Sequence, residues 1–402
     1  MSDAHVCVAV RRCYTGVDRE QHAAAVEPKS FGAAGRLLKM DDEVGGFASG
    51  PARVQGQRRL PWGRRFAHAR HEPASQRRTY AALDLGTNNC RLLVARPTYD
   101  SFRVIDAFSR IVRLGEGVST SGRLGEAAMA RAIEALRICR DKMANRGVTR
   151  ARLIATEACR AAENGADFLA RVREQVGIEL EVVDRETEAM LAATGCTPLI
   201  DPQVSGVILF DIGGGSSELV RLGRSRPVIG GPPAPQVTGW ASLPVGVVTL
   251  AERHGGIRVD RDLFETMIAE VAELVDGFAA RHGGSDGEMH MLGTSGTVTT
   301  IAGVHLRLPR YDRRQVDGCW MSEDQVTAVV DQLLAMSYEE RVANACIGRE
   351  RADLVLAGCA ILEAIRRAFP CRRLRVADRG LREGMLVQMM REDGIWNGAC
   401  SA

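Results

Sequence analysis

The chain has 402 residues, of which 45% are hydrophobic and 26% charged, and a formal net charge of +3. That length holds two ordinary domains with sizeable cores plus a tail, and the composition is that of a soluble enzyme. No apolar run approaches the roughly 18–20 residues of a membrane helix, so no bilayer-spanning helix is expected. The 11 cysteines contain no C-x-x-C pair, which argues against a disulfide framework or zinc site and for reduced thiols. The opening residues Met1 to His5 carry no apolar signal segment, so the expected location is cytoplasmic.

Residues 1–78 are rich in Arg, Gly, Ala and Pro and keep no period of 2 or 3.6, so a disordered tail is expected there. Its basic character concentrates in Arg58, Arg59, Arg64, Arg65, Arg70, Arg77 and Arg78. Such a run is either simply solvated or contacts a polyanion by counterion release. From Tyr80 the pattern changes. Residues 80–85 and 90–95 read as a hairpin, 102–108 as a third strand and 125–145 as a helix with Met129, Ile133, Leu136 and Met143 near helical spacing. A strand at 152–156 leads to a polar loop at 157–160, and 165–176 is helical. The order then begins again, with a strand at 177–183, a helix at 186–195, an apolar strand ending at Asp211, and strands at 218–222 and 239–244. The Gly/Pro-rich insert at 230–235 reads as a loop. Helices follow at 261–281, 322–336, 351–369 and 381–391, with strands at 288–292 and 374–377. The repeated order predicts two α/β domains, 79–195 and 196–392, the last helix being free to pack back on the first, and a tail at 393–402. A duplicated plan of this kind places its ligand in the cleft between two sheets, at the strand carboxyl ends.

Five elements are expected to converge in that cleft. Asp84, Gly86, Thr87, Asn88 and Asn89 form the first strand-to-turn unit; glycine permits a sharp turn, and the backbone N–H groups can face an anion. An ordinary β-turn is the rival, less favoured, explanation of this unit taken alone. The second unit, Asp211 followed by Gly213, Gly214, Gly215, Ser216, Ser217 and Glu218, is more specific, because three consecutive glycines after a buried strand suit close approach of an anion. Arg160, in the polar loop, is suited to bidentate phosphate contact, although a loop arginine is often only solvated. Glu188, at a predicted helix start, either complements the helix dipole or orients a water for attack on a phosphoanhydride. A further turn, Gly293-Thr294-Ser295-Gly296-Thr297, could cradle more phosphate or a nucleoside.

With these residues in place the chain resembles the exopolyphosphatase/guanosine pentaphosphate phosphohydrolase family of the actin-like superfamily. The resemblance covers about 80–391 and rests on Asp84 to Asn88, Arg113 to Gly117, Ala155 to Arg160 with Asn164, Glu188-Ala189, Asp211 to Leu219, Leu243 to Gly246, Gly293 to Thr297 and Gly380 to Gly384. It implies two ribonuclease-H-like domains with a central cleft, and Glu188 as general base or water-orienting carboxylate with Glu218 as its partner. It also implies Mg²⁺ held by Asp211 with Asp84 opposite, and K⁺ as an activator. Phosphate would be bound by Gly86, Thr87, Asn88, Asn89, Arg160, Gly213, Gly214, Gly215, Ser216 and Ser217, and by Gly293, Ser295 and Gly296. The implied substrates are inorganic polyphosphate or guanosine pentaphosphate, and the implied assembly is a homodimer. Thr87, Asn89 and Ser217 stand where the family commonly has Ser, Ser and Thr, which retains small hydrogen-bonding groups but bears on chain-length preference. Longer relatives carry an extra helical region, whereas this sequence ends soon after Arg391, so processive action on very long polymer is not expected. Two rival readings are an actin-like kinase, which would need an acceptor pocket and a purine slot, and a non-catalytic alarmone or polyphosphate sensor, which would gain little from carboxylates beside phosphate.

Overall fold

The structure, a computed structural model, describes residues 78–396 apart from 225, 229–230 and 284–287. The expected basic tail lies outside the described residues except for Arg78. The first lobe runs β1 (Tyr80–Leu85), β2 (Asn89–Pro97), β3 (Phe102–Ile111), α1 (Val118–Ser121), α2 (Glu126–Asn145), β4 (Arg150–Ala155), α3 (Glu157–Ala161), α4 (Gly165–Val176) and β5 (Glu181–Val182). Next come α5 (Arg185–Cys196), β6 (Gly206–Ile212), β7 (Ser217–Leu222), β8 (Arg226–Val228), β9 (Gly231–Ala234) and β10 (Val237–Leu243). The chain continues through α6 (Val247–His254), α7 (Arg261–His282), β11 (Met289–Thr294), α8 (Gly296–His305), α9 (Arg313–Val316) and β12 (Trp320–Ser322). It closes with α10 (Glu323–Ala335), α11 (Tyr338–Ala343), α12 (Val355–Ala368), β13 (Arg373–Ala377) and α13 (Leu381–Glu392).

The first sheet has the order β3-β2-β1-β4-β5 and the second β10-β7-β6-β11-β13-β12. Each therefore has an antiparallel hairpin at its centre, β1–β2 or β6–β7, flanked by a parallel strand, β4 or β11. Both central strands are apolar on both faces, and alternation sends their residues to opposite sides. In the first sheet Ala81, Leu83 and Leu85 pack with Met129, Leu136 and Phe168 of α2 and α4, whereas Tyr80 and Ala82 pack with Met385 and Met389 of α13. In the second, Ile208 and Phe210 pack with residues of α7 and α12, whereas Val207 and Leu209 pack with Ala189, Ala193 and Cys196 of α5. Helices α5 and α13 thus form the layer between the two sheets, and α13 belongs by sequence to the second lobe but covers the first. The lobes lie within one compact unit.

The crossing of α5 with α13 is backbone on backbone. A Cβ at Gly384 would overlap the carbonyl oxygen of Leu191, and one at Gly195 would overlap that of Gly380. A second inter-lobe contact is bidentate: Arg113 donates from Nη1 and Nη2 to the two carboxylate oxygens of Asp353, at 2.9 Å each.

Several expected elements differ. The segment 157–160 is not a loop but the short helix α3. The strand expected at 177–183 shrinks to β5, because the chain leaves α4 through Gly177 at φ 74° and pairs with β4 only at Glu181 and Val182, opposite Ile154 and Ala155. The insert at 230–235 contributes β9 of a two-stranded hairpin, where Pro232 and Pro233 fall in the register shift between the pairs Arg226–Ala234 and Val228–Gly231, a bulge at which missing donors are tolerated. Arg391 donates to the carbonyls of both prolines. The expected tail starts later than 393: Trp396 is buried against Gly231 and donates from Nε1 to Thr98 O. Helix α6, not foreseen, buries Val248, Leu250 and Ala251. The described cysteines are free thiols.

Overlap at the helix crossing generates a stability prediction. Gly384→Ala should destabilise the fold by about 3 kcal/mol or more in urea unfolding, as overpacking against rigid backbone does. Gly125→Ala, where nothing lies within 4 Å of the added Cβ, should cost under about 1 kcal/mol. Equal effects at the two sites would refute the role given to the crossing.

Candidate active site

Each central hairpin ends its first strand on an aspartate one residue before the turn's edge, Asp84 in β1 and Asp211 in β6. The turns close in the same way: Gly86 N–H donates to Asn89 O at 2.8 Å, and Gly213 N–H donates to Ser216 O at 3.0 Å. None of Gly86, Gly213, Gly214 or Gly215 adopts a positive φ, so the expected conformational reason for these glycines is replaced by a steric one. A Cβ at Gly214 would lie 2.9 Å from Thr87 Cβ and 3.2 Å from Asn88 N, and one at Gly215 would lie 2.9 Å from Thr87 Oγ1. The two turns abut, one from each lobe. The N–H groups of Thr87, Gly214 and Gly215 have no acceptor among the described residues, which leaves donors for an anion.

A cleft of about 1020 Å³ opens over this junction. Asp84, Gly86, Thr87, Asn88, Asn89, Glu188, Asp211, Gly213, Gly214, Gly215, Ser216, Glu218 and Ser295 all line it. Four expected phosphate ligands, Ser217, Gly293, Arg160 and Gly296, do not. Ser217 is fully buried and donates its hydroxyl to Val245 O at 2.7 Å, Gly293 sits inside β11 where a Cβ would strike Phe210 and Val298, and Arg160 lies behind the carboxylates in α3. Gly296 lines a smaller adjoining pocket. Arg160 is occupied rather than solvated. Its Nε and Nη2 donate to Glu157 Oε2 at 3.0 and 2.5 Å, its Nη1 to Val183 O at 2.6 Å, and its Nη2 also reaches Glu188 Oε2 at 3.3 Å.

Helix α5 places Glu188 in its first turn because Asp184 caps it, accepting Thr187 N–H at 2.7 Å. Burial, then the neighbouring Glu218 and Asp84, push the Glu188 carboxyl well above the usual carboxylate range, with Arg160 opposing. That opposition is the smaller effect because the guanidinium is shared with Glu157 and a carbonyl. Glu218, only 3% exposed, is pushed up to about 7 by burial and then by Asp211, while hydroxyl donors Ser216 and Ser242, at 2.9 and 3.0 Å from Oε1, hold it down. Burial raises Asp211 to about 6, opposed first by Arg91. Burial also raises Asp84, opposed by Arg91 and Arg382.

Arg91 and Arg382 were not singled out in the sequence, nor were Arg349 and Arg351, yet all four line the cleft. Arg91 stands two residues after Asn89 on β2, and strand alternation puts both on the cleft side; that spacing was a usable signal. Arg382 lies in the Gly380 to Gly384 motif, which had been read without assigning a residue role. Arg349 and Arg351 precede α12; Arg351 was expected to open that helix, Arg349 lay just before it, and nothing local marks either.

Among the described residues no three carboxylate, imidazole or thiolate groups converge into a ready-made cage. Asp84 and Asp211 are nevertheless destabilised as anions and face one cleft, which fits an ion held by one or two carboxylates, with water and phosphate oxygens completing the shell, as Mg²⁺ prefers. Independently of any ion, Ser242→Ala removes a donor from Glu218 Oε1. Its carboxyl should then titrate roughly one unit higher by ¹³C NMR. An unchanged titration would show that Ser242 is not holding the charge.

Comparison with known proteins places this geometry. Residues 93–393 match the model of the Ppx/GppA phosphatase family. The crystal structure of an Aquifex aeolicus member of that family is 28% identical, covering 79% of this chain and 98% of that one, with a TM-score of 0.65. An exopolyphosphatase-like protein is 29% identical, covering 78% and 99%, with a TM-score of 0.68. An exopolyphosphatase from Cytophaga hutchinsonii, at 24% identity and a TM-score of 0.71 over 78% and 98%, shares the fold.

Proposed function

Because the chain belongs to the Ppx/GppA phosphatase family, we propose that it removes terminal orthophosphate from inorganic polyphosphate. One observation carries the choice of substrate: Arg91, Arg349, Arg351 and Arg382 line the cleft with no ion pair or hydrogen-bonded carboxylate partner among the described residues. Four such guanidiniums exceed what one terminal phosphate requires and suit a chain charged at every repeat. A second reading, guanosine pentaphosphate, is favoured by Phe108 and Arg110 on the cleft wall, where the guanidinium lies 5.7 Å from the ring centroid and the pair offers a stacking surface for a base.

In the mechanism this reading supports, the free amides of Thr87, Gly214 and Gly215 bind the terminal phosphoryl oxygens. Glu188 accepts a proton from water as the water oxygen attacks phosphorus; the bridging P–O bond breaks and its electron pair leaves on the shortened chain. Glu218 adds to the basicity of Glu188 through its charge, and the Arg160 guanidinium, held by Glu157 and Val183 O, fixes where the Glu188 carboxylate sits. Asp84 and Asp211 would hold Mg²⁺, which supplies positive charge to the phosphate oxygens when bound.

The deciding experiment measures orthophosphate release from long polyphosphate, short polyphosphate and guanosine pentaphosphate, without an alcohol acceptor. Release from polyphosphate, with Glu188→Gln lowering kcat by about 10²-fold or more and KM changing little, is the expected result. Release from the nucleotide alone would move the assignment to the second reading. Binding without release from any substrate would favour a sensor, and transfer only to an alcohol would favour a kinase.

A proton linkage follows from the raised acids. In the metal-free protein Glu218 and Asp211 titrate near 7 and 6, above their ordinary values, so protons must leave as a cation binds. Apparent Mg²⁺ affinity should therefore climb as pH rises through 6 and 7 and flatten above. Calorimetry in buffers of different ionisation enthalpy should register proton release at pH 6.5, and a pH-independent affinity would exclude Asp211 as a ligand.

A further inference from the structure

No residue of the motif Arg113-Leu114-Gly115-Glu116-Gly117 lines the cleft, yet its backbone packs directly against the first turn. The amides of Val112 and Arg113 donate to Asn88 O at 2.9 and 3.0 Å, and that of Gly115 donates to Thr87 O at 2.9 Å. A Cβ at Gly115 would lie 2.3 Å from Thr87 Cγ2, so only glycine lets the strap 112–117 come this close.

The side chain of Arg113 runs to the other lobe. It grips the turn ahead of α12 at three points, donating to both carboxylate oxygens of Asp353 at 2.9 Å and to Glu350 O at 3.0 Å. Between these anchors stands Arg351, and just before them Arg349, the two cleft guanidiniums that this segment supplies. One residue therefore links, main chain to side chain, the first turn of one lobe to two cleft arginines of the other.

Two features separate this link from simple adhesion between lobes. Arg113 holds φ 46°, a left-handed conformation that disfavours any residue with a branched backbone position. Glycine would adopt it freely but could not reach Asp353, so the strain stands where a guanidinium fork is needed. The strap also has an independent hold on the second lobe: Gly117 N–H, at 2.8 Å, and the Ser119 hydroxyl both donate to the Glu252 carboxylate of α6. Without the Arg113 side chain the strap keeps this hold and its bonds to the first turn. What is released is the turn that carries Arg349 and Arg351, which bonds from Arg351 and Ala352 N–H to Gly348 O close only locally.

We propose that Arg113 is a positioning residue, which touches no substrate but sets Arg349 and Arg351 at the distance from the first turn that a single phosphate chain bridges. The proposal rests on the reading of the cleft as a phosphoanhydride site and adds to it the role of a residue outside that cleft.

The test follows orthophosphate release from short polyphosphate by the full chain. Because the first turn stays held, Arg113→Ala should raise KM about tenfold or more and lower kcat less than about threefold. Asp353→Asn should shift KM in the same direction, and Arg113→Lys, which keeps the charge but loses the fork, should recover little. In a chain already carrying Arg349→Ala and Arg351→Ala, the further change Arg113→Ala should alter kcat/KM by less than about twofold, since the groups it positions are gone. A merely stabilising ion pair would give an undiminished effect there. Thermal melting checks that each variant is folded. An unmoved KM in folded Arg113→Ala, a loss confined to kcat, full recovery by lysine, or additivity in the arginine-depleted background would each overturn the positioning role. If the unsubstituted chain releases no orthophosphate, the functional reading falls. The same series, read as calorimetric binding of tripolyphosphate without a divalent cation, then decides the positioning role by itself.

Discussion

The backbone contact between α5 and α13 is the constraint from which the site follows. Without side chains at Gly195 and Gly384 the two helices approach closely enough to serve as one layer shared by both sheets. That layer brings the carboxyl ends of β1 and β6 face to face, and Gly214 and Gly215 complete the approach by admitting Thr87 against the second turn. Glycine at these positions acts by absence of volume. A methyl at any of them would push apart the two turns and the free amides they carry.

Bringing the strand ends together also concentrates charge. Asp84, Glu188, Asp211 and Glu218 are partly or fully removed from water and each raises the cost of ionising another, so the apo site is electrostatically unfavourable as anions. Arg160 relieves this only slightly, because Glu157 and Val183 O take most of its hydrogen bonds. Unpaired guanidiniums on the walls oppose the acids at the floor. Such a separation favours a polyanion entering with a cation, since the pair satisfies both sets at once.

Much of the fold was legible because its signals are local. The apolar strands at 80–85 and 206–212, the amphipathic helix at 126–145 and the Asp184 cap of α5 are written in short-range pattern. The misses were elements whose state depends on a partner. Residues 177–183 have strand character but pair with β4 only at Glu181 and Val182, since the chain is still leaving α4 before them, and the proline-bearing β9 exists because β8, Arg391 and Trp396 hold it. In the site, residues on the turns themselves were found, since strand-Asp-turn-Gly is a contiguous pattern. Ser217 and Gly293 belong to such patterns too, yet point into the core, because orientation at a strand end is set by register.

The sequence by itself determined the repeated α/β order, the two aspartate-glycine turns and the acid at the head of α5, because backbone propensity and alternation act over a few residues. Only the tertiary structure decided that Arg160 is spent on Glu157 and Val183 rather than open to the cleft, and that Arg91, Arg349, Arg351 and Arg382 supply its free positive charge. Those facts concern which charges and donors remain unsatisfied after packing. That is a property of contacts between residues as much as 315 positions apart, as Arg78 and Asp393 are, and no local pattern in the chain encodes it.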